Sequence, residues 1–163
     1  MPTIFILRHR RENLKKCSLT GLEGKPGLSF STYPIDPLPN LSESLLLKVS
    51  APPITSADFK KDFLLIDGTW RLAAIMEKQL PIPLEARSIP GSWQTAYPRR
   101  QTDCPDPHAG LSSVETLYVI ALILGRCPEG ILDRYYWKED FLQVNKEQIS
   151  KLLKNDHSDY RGN

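Results

Sequence analysis

The chain has 163 residues, enough for one domain with a core of its own and too few for two ordinary ones. Hydrophobic residues make up 40% and charged residues 25%, a globular balance, and no apolar run approaches the roughly 20 residues that a membrane helix needs. The net charge is only +2, but residues 8–16 hold five positive charges against one negative, so the rest of the chain is net negative. Such a cluster reads equally as a phosphate-contacting surface or as a solvated charged turn.

In chain order, Thr3–Leu7 is a short β-branched and apolar run that predicts a strand leading into the basic cluster. The first residues lack the basic start of a signal peptide. Leu28–Tyr33 predicts a second strand, and Pro34, Pro37 and Pro39 then keep the chain extended. Leu45–Val49 is a strand or a short helix, broken by Pro52 and Pro53, and Ser56-Ala57-Asp58 caps a short turn. Phe63–Ile66 is apolar throughout, as a central strand covered on both faces requires. It ends in Asp67-Gly68-Thr69, and Leu72, Ile75, Met76 and Leu80 then recur at helical spacing, predicting a helix over Trp70–Leu80. Asp67 therefore stands at the carboxyl end of a strand, where open α/β sheets bind their ligands.

Residues 81–107 hold six prolines, with one further strand expected at Trp93–Tyr97. Ser112 and Glu115 have the spacing of a capping box for a helix that buries Val114, Leu117, Tyr118, Ala121 and Leu122 and stops at Gly125. A short helix is expected from Pro128 to about Tyr135, a last one from Lys138 to Leu153, and a frayed tail from Asn155. The pattern is that of a single α/β domain over residues 1–154. A basic portion occupies about 1–60 and a ligand-binding portion about 61–154.

The three cysteines, Cys17, Cys104 and Cys127, are odd in number and far apart, with no CxxC pair, which suits reduced thiols in the cytosol. Cys104 and His108 alone do not make a metal site, and no metal is predicted. No GxxxxGK[ST], GxGxxG or GxSxG motif occurs, which disfavours a P-loop hydrolase, an ordinary Rossmann dehydrogenase and an α/β-hydrolase. Read singly, Asp67 serves as a helix cap, Trp70 as core, Ser112 and Glu115 as a capping box, and Arg99 and Arg100 as surface charge.

Taken together, several segments carry a resemblance. Leu-Leu-Ile-Asp67-Gly68-Thr69-Trp70-Arg71, then Leu-Pro, Tyr97-x-x-Arg100-Gln and Gly110-Leu-Ser-Ser-Val-Glu115 resemble the DTW-domain proteins, which are tRNA uridine aminocarboxypropyltransferases. Lys15-Lys16-Cys17-Ser18 and the Trp-x-x-x-Phe-Leu-x-x-Asn pattern at Trp137–Asn145 are similar to the related small-subunit rRNA aminocarboxypropyltransferases. The resemblance spans residues 4–153 with the motifs in the same order, without the cysteine-rich zinc segment usual in DTW proteins.

The resemblance implies a fold related to the SPOUT RNA methyltransferases, with a mixed sheet and a knotted C-terminal half. It also implies S-adenosylmethionine as donor and an rRNA or tRNA uridine or pseudouridine as acceptor. A SPOUT-like methyltransferase and a non-catalytic ribosome-assembly factor are the alternatives. In the implied site, Asp67 orients or accepts the N3 proton or binds the donor's ammonium, and Ser18 holds the donor's carboxylate. Trp70 walls the cofactor, and Ala96, Tyr97, Leu111 and Ser112 line the adenine pocket. Arg8, Arg10, Arg11, Lys15, Lys16, Arg99 and Arg100 meet RNA phosphates, and the protein is read as a cytoplasmic monomer. Glu115 is read as a cap, His9 as a surface or RNA contact, Trp137 as core, and Trp93 as core or a base-stacking residue.

Overall fold

In the computed structural model, which describes residues 2–15, 17–98 and 110–155, five strands form one sheet. They are β1 (Ile4–His9), β2 (Leu28–Tyr33), β3 (Ser44–Leu47), β4 (Asp62–Asp67) and β5 (Ala86–Arg87), in the order β2-β1-β4-β3-β5. All the pairings are parallel, not mixed as expected. The connections at 10–27, 34–43, 48–61 and 68–85 explain this. Each is too long for a hairpin and returns the chain to the starting edge.

Side chains alternate across the sheet with a period of two. Ile4 and Ile6 of β1, Leu45 of β3, and Phe63 and Leu65 of β4 face one core, which they share with Val114, Leu117 and Ile120 of helix α2 (Ser113–Ile123). Leu7, Leu46 and Leu64 face the other core with Met76 of helix α1 (Trp70–Lys78). The sheet is thus covered on both faces, which is why β4 is apolar over four consecutive residues.

The helix boundaries follow local chemistry. Thr69, not Asp67, is the N-cap of α1: its hydroxyl accepts from the Leu72 N–H at 3.4 Å. Ser112 and Glu115 close a reciprocal capping box on α2. At the other end Gly125 takes φ 64°. Its N–H reaches the Leu122 carbonyl and the Arg126 N–H reaches that of Ala121, a Schellman closure.

Three expected elements differ. Residues 93–97 are not a strand, and the fifth strand is the two-residue β5. Residues 128–135 form successive turns in place of a helix. The expected helix over Lys138–Leu153 is two, α3 (Lys138–Val144) and α4 (Lys146–Asn155), because buried Asn145 turns its amide onto other backbone groups. No helix among the described residues is long and apolar enough to cross a membrane. Lys16, Arg99, Arg100, Cys104, His108 and the tail beyond 155 lie outside the described residues.

Candidate active site

The site begins with a register. β1 and β4 are neighbours, and Arg8 pairs with Asp67 at their carboxyl ends. From β1 the chain goes to β2 on one side; from β4 it goes through α1 to β5 on the other. The connections diverge there and leave a crevice beyond the strand ends. A cleft of about 770 Å3 opens at this point, lined at its floor by Asp67, Gly68, Cys17 and Glu12. It draws on both the N-terminal and the C-terminal portions of the chain.

Strand alternation turns Arg8 and Asp67 toward α2. The Ser113 hydroxyl in the first turn of α2 donates to Asp67 Oδ1 at 2.7 Å, and the Cys17 thiol donates to Oδ2 at 3.7 Å. Arg8 Nε lies 3.7 Å from the same Oδ2, and its Nη1 lies 3.4 Å from Glu23. The guanidinium rests over the Phe30 ring at 4.9 Å. Arg8 is only 7% exposed, so it does not present its charge to a phosphate as the sequence suggested; the strand runs two residues past its apolar run and carries Arg8 inward.

Burial raises the pKa of Asp67, and the Ser113 hydrogen bond, the Arg8 charge and the Cys17 thiol oppose the rise only in part. Burial likewise raises Glu12, with the Asp67 charge adding to it and Arg8 opposing. The Cys17 thiol is pushed up by burial and then by Asp67. Glu12, Cys17 and Asp67 bring their acidic atoms within 4.8 Å of one another. One guanidinium against three acidic groups makes a cluster built to hold a proton or to receive a small cation such as an ammonium. These atoms are also of metal-ligand type, and the Arg8 guanidinium beside them, 3.7 Å from Asp67 Oδ2, supplies a counter-charge.

Ser18, Trp70, Tyr97, Leu111 and Ser112 all line the cleft. Trp70 stands at its lip, 47% exposed, and is not core. Ala96 is absent from the lining. Its N–H is used on Glu115 Oε2 at 2.8 Å. Glu115 is fully buried and does more than cap: besides the capping bond from the Ser112 N–H at 2.8 Å, it also accepts from Thr95 Oγ1 at 2.6 Å and the Tyr135 hydroxyl at 2.9 Å. Asn145 grips the adjacent residue, accepting from the Gln94 N–H and donating to the Gln94 carbonyl, both at 2.8 Å. These two side chains fix the cleft wall at 93–97 without any strand pairing.

Arg10, Arg11 and Lys15 are exposed beside the cleft-lining Glu12 and Cys17. His9 is buried on the opposite face of the sheet, 5.6 Å from the Tyr33 ring, with Nδ1 accepting from the Arg11 N–H at 3.0 Å. Its pKa is lowered by burial and then by Arg11 and Arg10, and its burial takes it off the surface. The sequence reading missed Glu12, Cys17 and Ser113. Cys17 and Ser113 lay inside the quoted motifs, adjacent to the serines that were chosen, whereas Glu12 was the one acid in a basic run.

No family model and no curated protein sequence matches the chain. Its structure is similar to that of Tsr3 from Vulcanisaeta distributa, a SAM-dependent rRNA:acp-transferase. The TM-score is 0.66 at 20% identity, over 94% of this chain and 84% of that one. At that identity the likeness establishes a shared fold.

Proposed function

We propose that this chain is an RNA-modifying transferase that moves the 3-amino-3-carboxypropyl group of S-adenosylmethionine to N3 of a uridine or pseudouridine. The observation that carries the reading is Asp67, a buried carboxyl of raised pKa at the floor of a cleft beyond the strand ends. The fold is shared with a protein described as a SAM-dependent rRNA:acp-transferase.

The residues fit the donor. A cleft of about 770 Å3 suits a nucleoside-sized molecule. Ile89, Trp93, Tyr97 and Leu111 offer an apolar wall for an adenine, and Glu12 and Asp67 offer negative charge to an ammonium. When bound, S-adenosylmethionine supplies a sulfonium whose attached carbons are open to displacement. Which carbon is attacked depends on alignment at near-attack distance. Ser18 holds the donor's carboxylate, and Trp70 covers it from the lip. N3 of the base loses a proton on transfer, and Asp67 accepts or orients that proton or binds the donor's ammonium. Arg10, Arg11 and Lys15, with Lys16, Arg99 and Arg100, meet phosphates of an rRNA or tRNA. A cytoplasmic monomer with a knotted C-terminal half belongs to the same reading.

The test is chromatography of the small-molecule product after incubation with S-adenosylmethionine and RNA lacking the modification. Methylthioadenosine that appears only with RNA is the expected result. S-adenosylhomocysteine would identify a methyltransferase instead. Neither product, with donor binding intact, would leave an RNA-binding assembly factor.

A further inference from the structure

An aromatic strip runs out of the cleft. Tyr97 lines the cleft and meets Trp137 edge to face, with centroids 5.3 Å apart and planes at 77°. Trp137 meets Tyr136 in the same way, at 5.0 Å and 75°. Behind them Tyr135 is buried, 5.9 Å from Trp137, with its hydroxyl on Glu115, so the base of the strip is anchored. Tyr136 is 86% exposed, and its ring is steadied by Trp137 while it stands in solvent.

Charges of both signs flank the strip: Asp133, Glu139 and Asp140 stand beside Arg134 and Lys138, and Lys138 pairs with Asp133 at 3.4 Å. Arg134 is exposed and stands against Gly21, in a hollow of about 160 Å3 that shares Ser18 with the main cleft. Exposed Arg10, Arg11 and Lys15 flank the same cleft-lining loop. An exposed ring held in place beside the cleft suits the flat apolar faces of unpaired bases in a single strand of RNA. An unstacked base has two π faces to cover, and a ring already held in place covers one at little cost in side-chain entropy.

We propose that Trp137 and Tyr136, continuing outward from Tyr97 of the cleft wall, form a stacking platform for unpaired RNA bases next to the nucleotide held in the cleft, with Tyr136 taking the outermost base. This rests on the RNA-modifying reading above. Stacking of this kind tolerates any base, so the platform contributes affinity and keeps the strand unstacked near the cleft, without reading sequence.

The test uses the full chain and a fluorescent RNA single strand of about twelve nucleotides, titrated by anisotropy at several salt concentrations. Tyr136→Ala is expected to weaken binding roughly tenfold, with Tyr136→Phe close to the parent protein. The salt slope stays unchanged in both, because stacking releases no counterions. Binding of S-adenosylmethionine by calorimetry also stays unchanged, since Tyr136 does not line the cleft. Parent-like RNA binding by Tyr136→Ala would overturn the platform and leave the RNA reading standing. A reduced salt slope would overturn stacking in favour of a charge contact. A parent protein that binds no RNA would overturn both, and a protein partner at Tyr136 would then be the reading to take up.

Discussion

Ser113 donates a 2.7 Å hydrogen bond to Asp67, joining the first turn of α2 to the end of β4 across 46 residues. The carboxylate is therefore oriented only once α2 has docked on the sheet. Asp67→Asn keeps the size and an acceptor for Ser113 but removes the proton acceptor. It should lower transfer about a hundredfold or more, the usual worth of a positioned base, and Asp67→Ala should abolish transfer. Single-turnover formation of methylthioadenosine measures both, with circular dichroism confirming that the fold persists. Full activity in Asp67→Asn would assign the residue to positioning alone.

The pH dependence carries a definite sign. Burial raises the Asp67 pKa in the folded protein, so between the ordinary aspartate range and that raised value the folded state binds more protons than the unfolded one. Stability contributed at this group therefore falls as pH rises through the window. Glu12 acts in the same direction. If Asp67 accepts the N3 proton, the transfer rate rises through the same window as the carboxyl ionises. Melting temperature and rate, followed across pH, should move oppositely, and Asp67→Asn should flatten the stability change.

Arg8 and its neighbours Arg10 and Arg11 separate by the same logic. Arg8 is buried against Asp67 and Glu23, whereas Arg10 and Arg11 are exposed. Arg8→Met leaves the buried Asp67 without its cation and should cost about 3 kcal/mol of stability. Arg8→Met combined with Asp67→Asn should cost less than Arg8→Met alone, since the uncompensated charge is gone. Charge reversal at Arg10 and Arg11 should leave the melting temperature within a few degrees. It should weaken RNA binding and flatten the salt slope. Denaturant unfolding and anisotropy titrations distinguish the two classes.

The contrast between these arginines shows where the sequence is legible. The run Phe63–Ile66 followed by Asp67-Gly68-Thr69 announces a buried strand, a turn and a helix, and the structure has all three. Ser112, Glu115 and Gly125 mark both ends of α2 because capping is chemistry within a few residues. Burial of Arg8 was hidden because its partners Asp67, Glu23 and Phe30 come from other elements. β5 is two residues long, too short for any period to show. The break at Asn145 depends on Gln94, 51 residues away.

Glu115 offers the sharpest test of how the cleft wall is held. Four donors converge on its carboxylate: Thr95 Oγ1, Tyr135 Oη, and the N–H groups of Ala96 and Ser112. Glu115→Gln keeps the shape but replaces one acceptor oxygen with an NH2 that faces these donors, leaving at least one buried group unsatisfied. The expected loss is about 1–3 kcal/mol in denaturant unfolding. Because Ala96 and Tyr97 lie on the loop so anchored, donor binding should weaken as well, although Glu115 itself does not line the cleft. Asn145→Ala frees Gln94 from the other side and should weaken donor binding in the same direction. Each variant alone should loosen the wall, and the pair should add less than the sum of the two, since one segment is released only once. Calorimetric titration of S-adenosylmethionine into the two single variants and the double variant measures this. Full additivity would show that the two anchors act on separate parts of the wall.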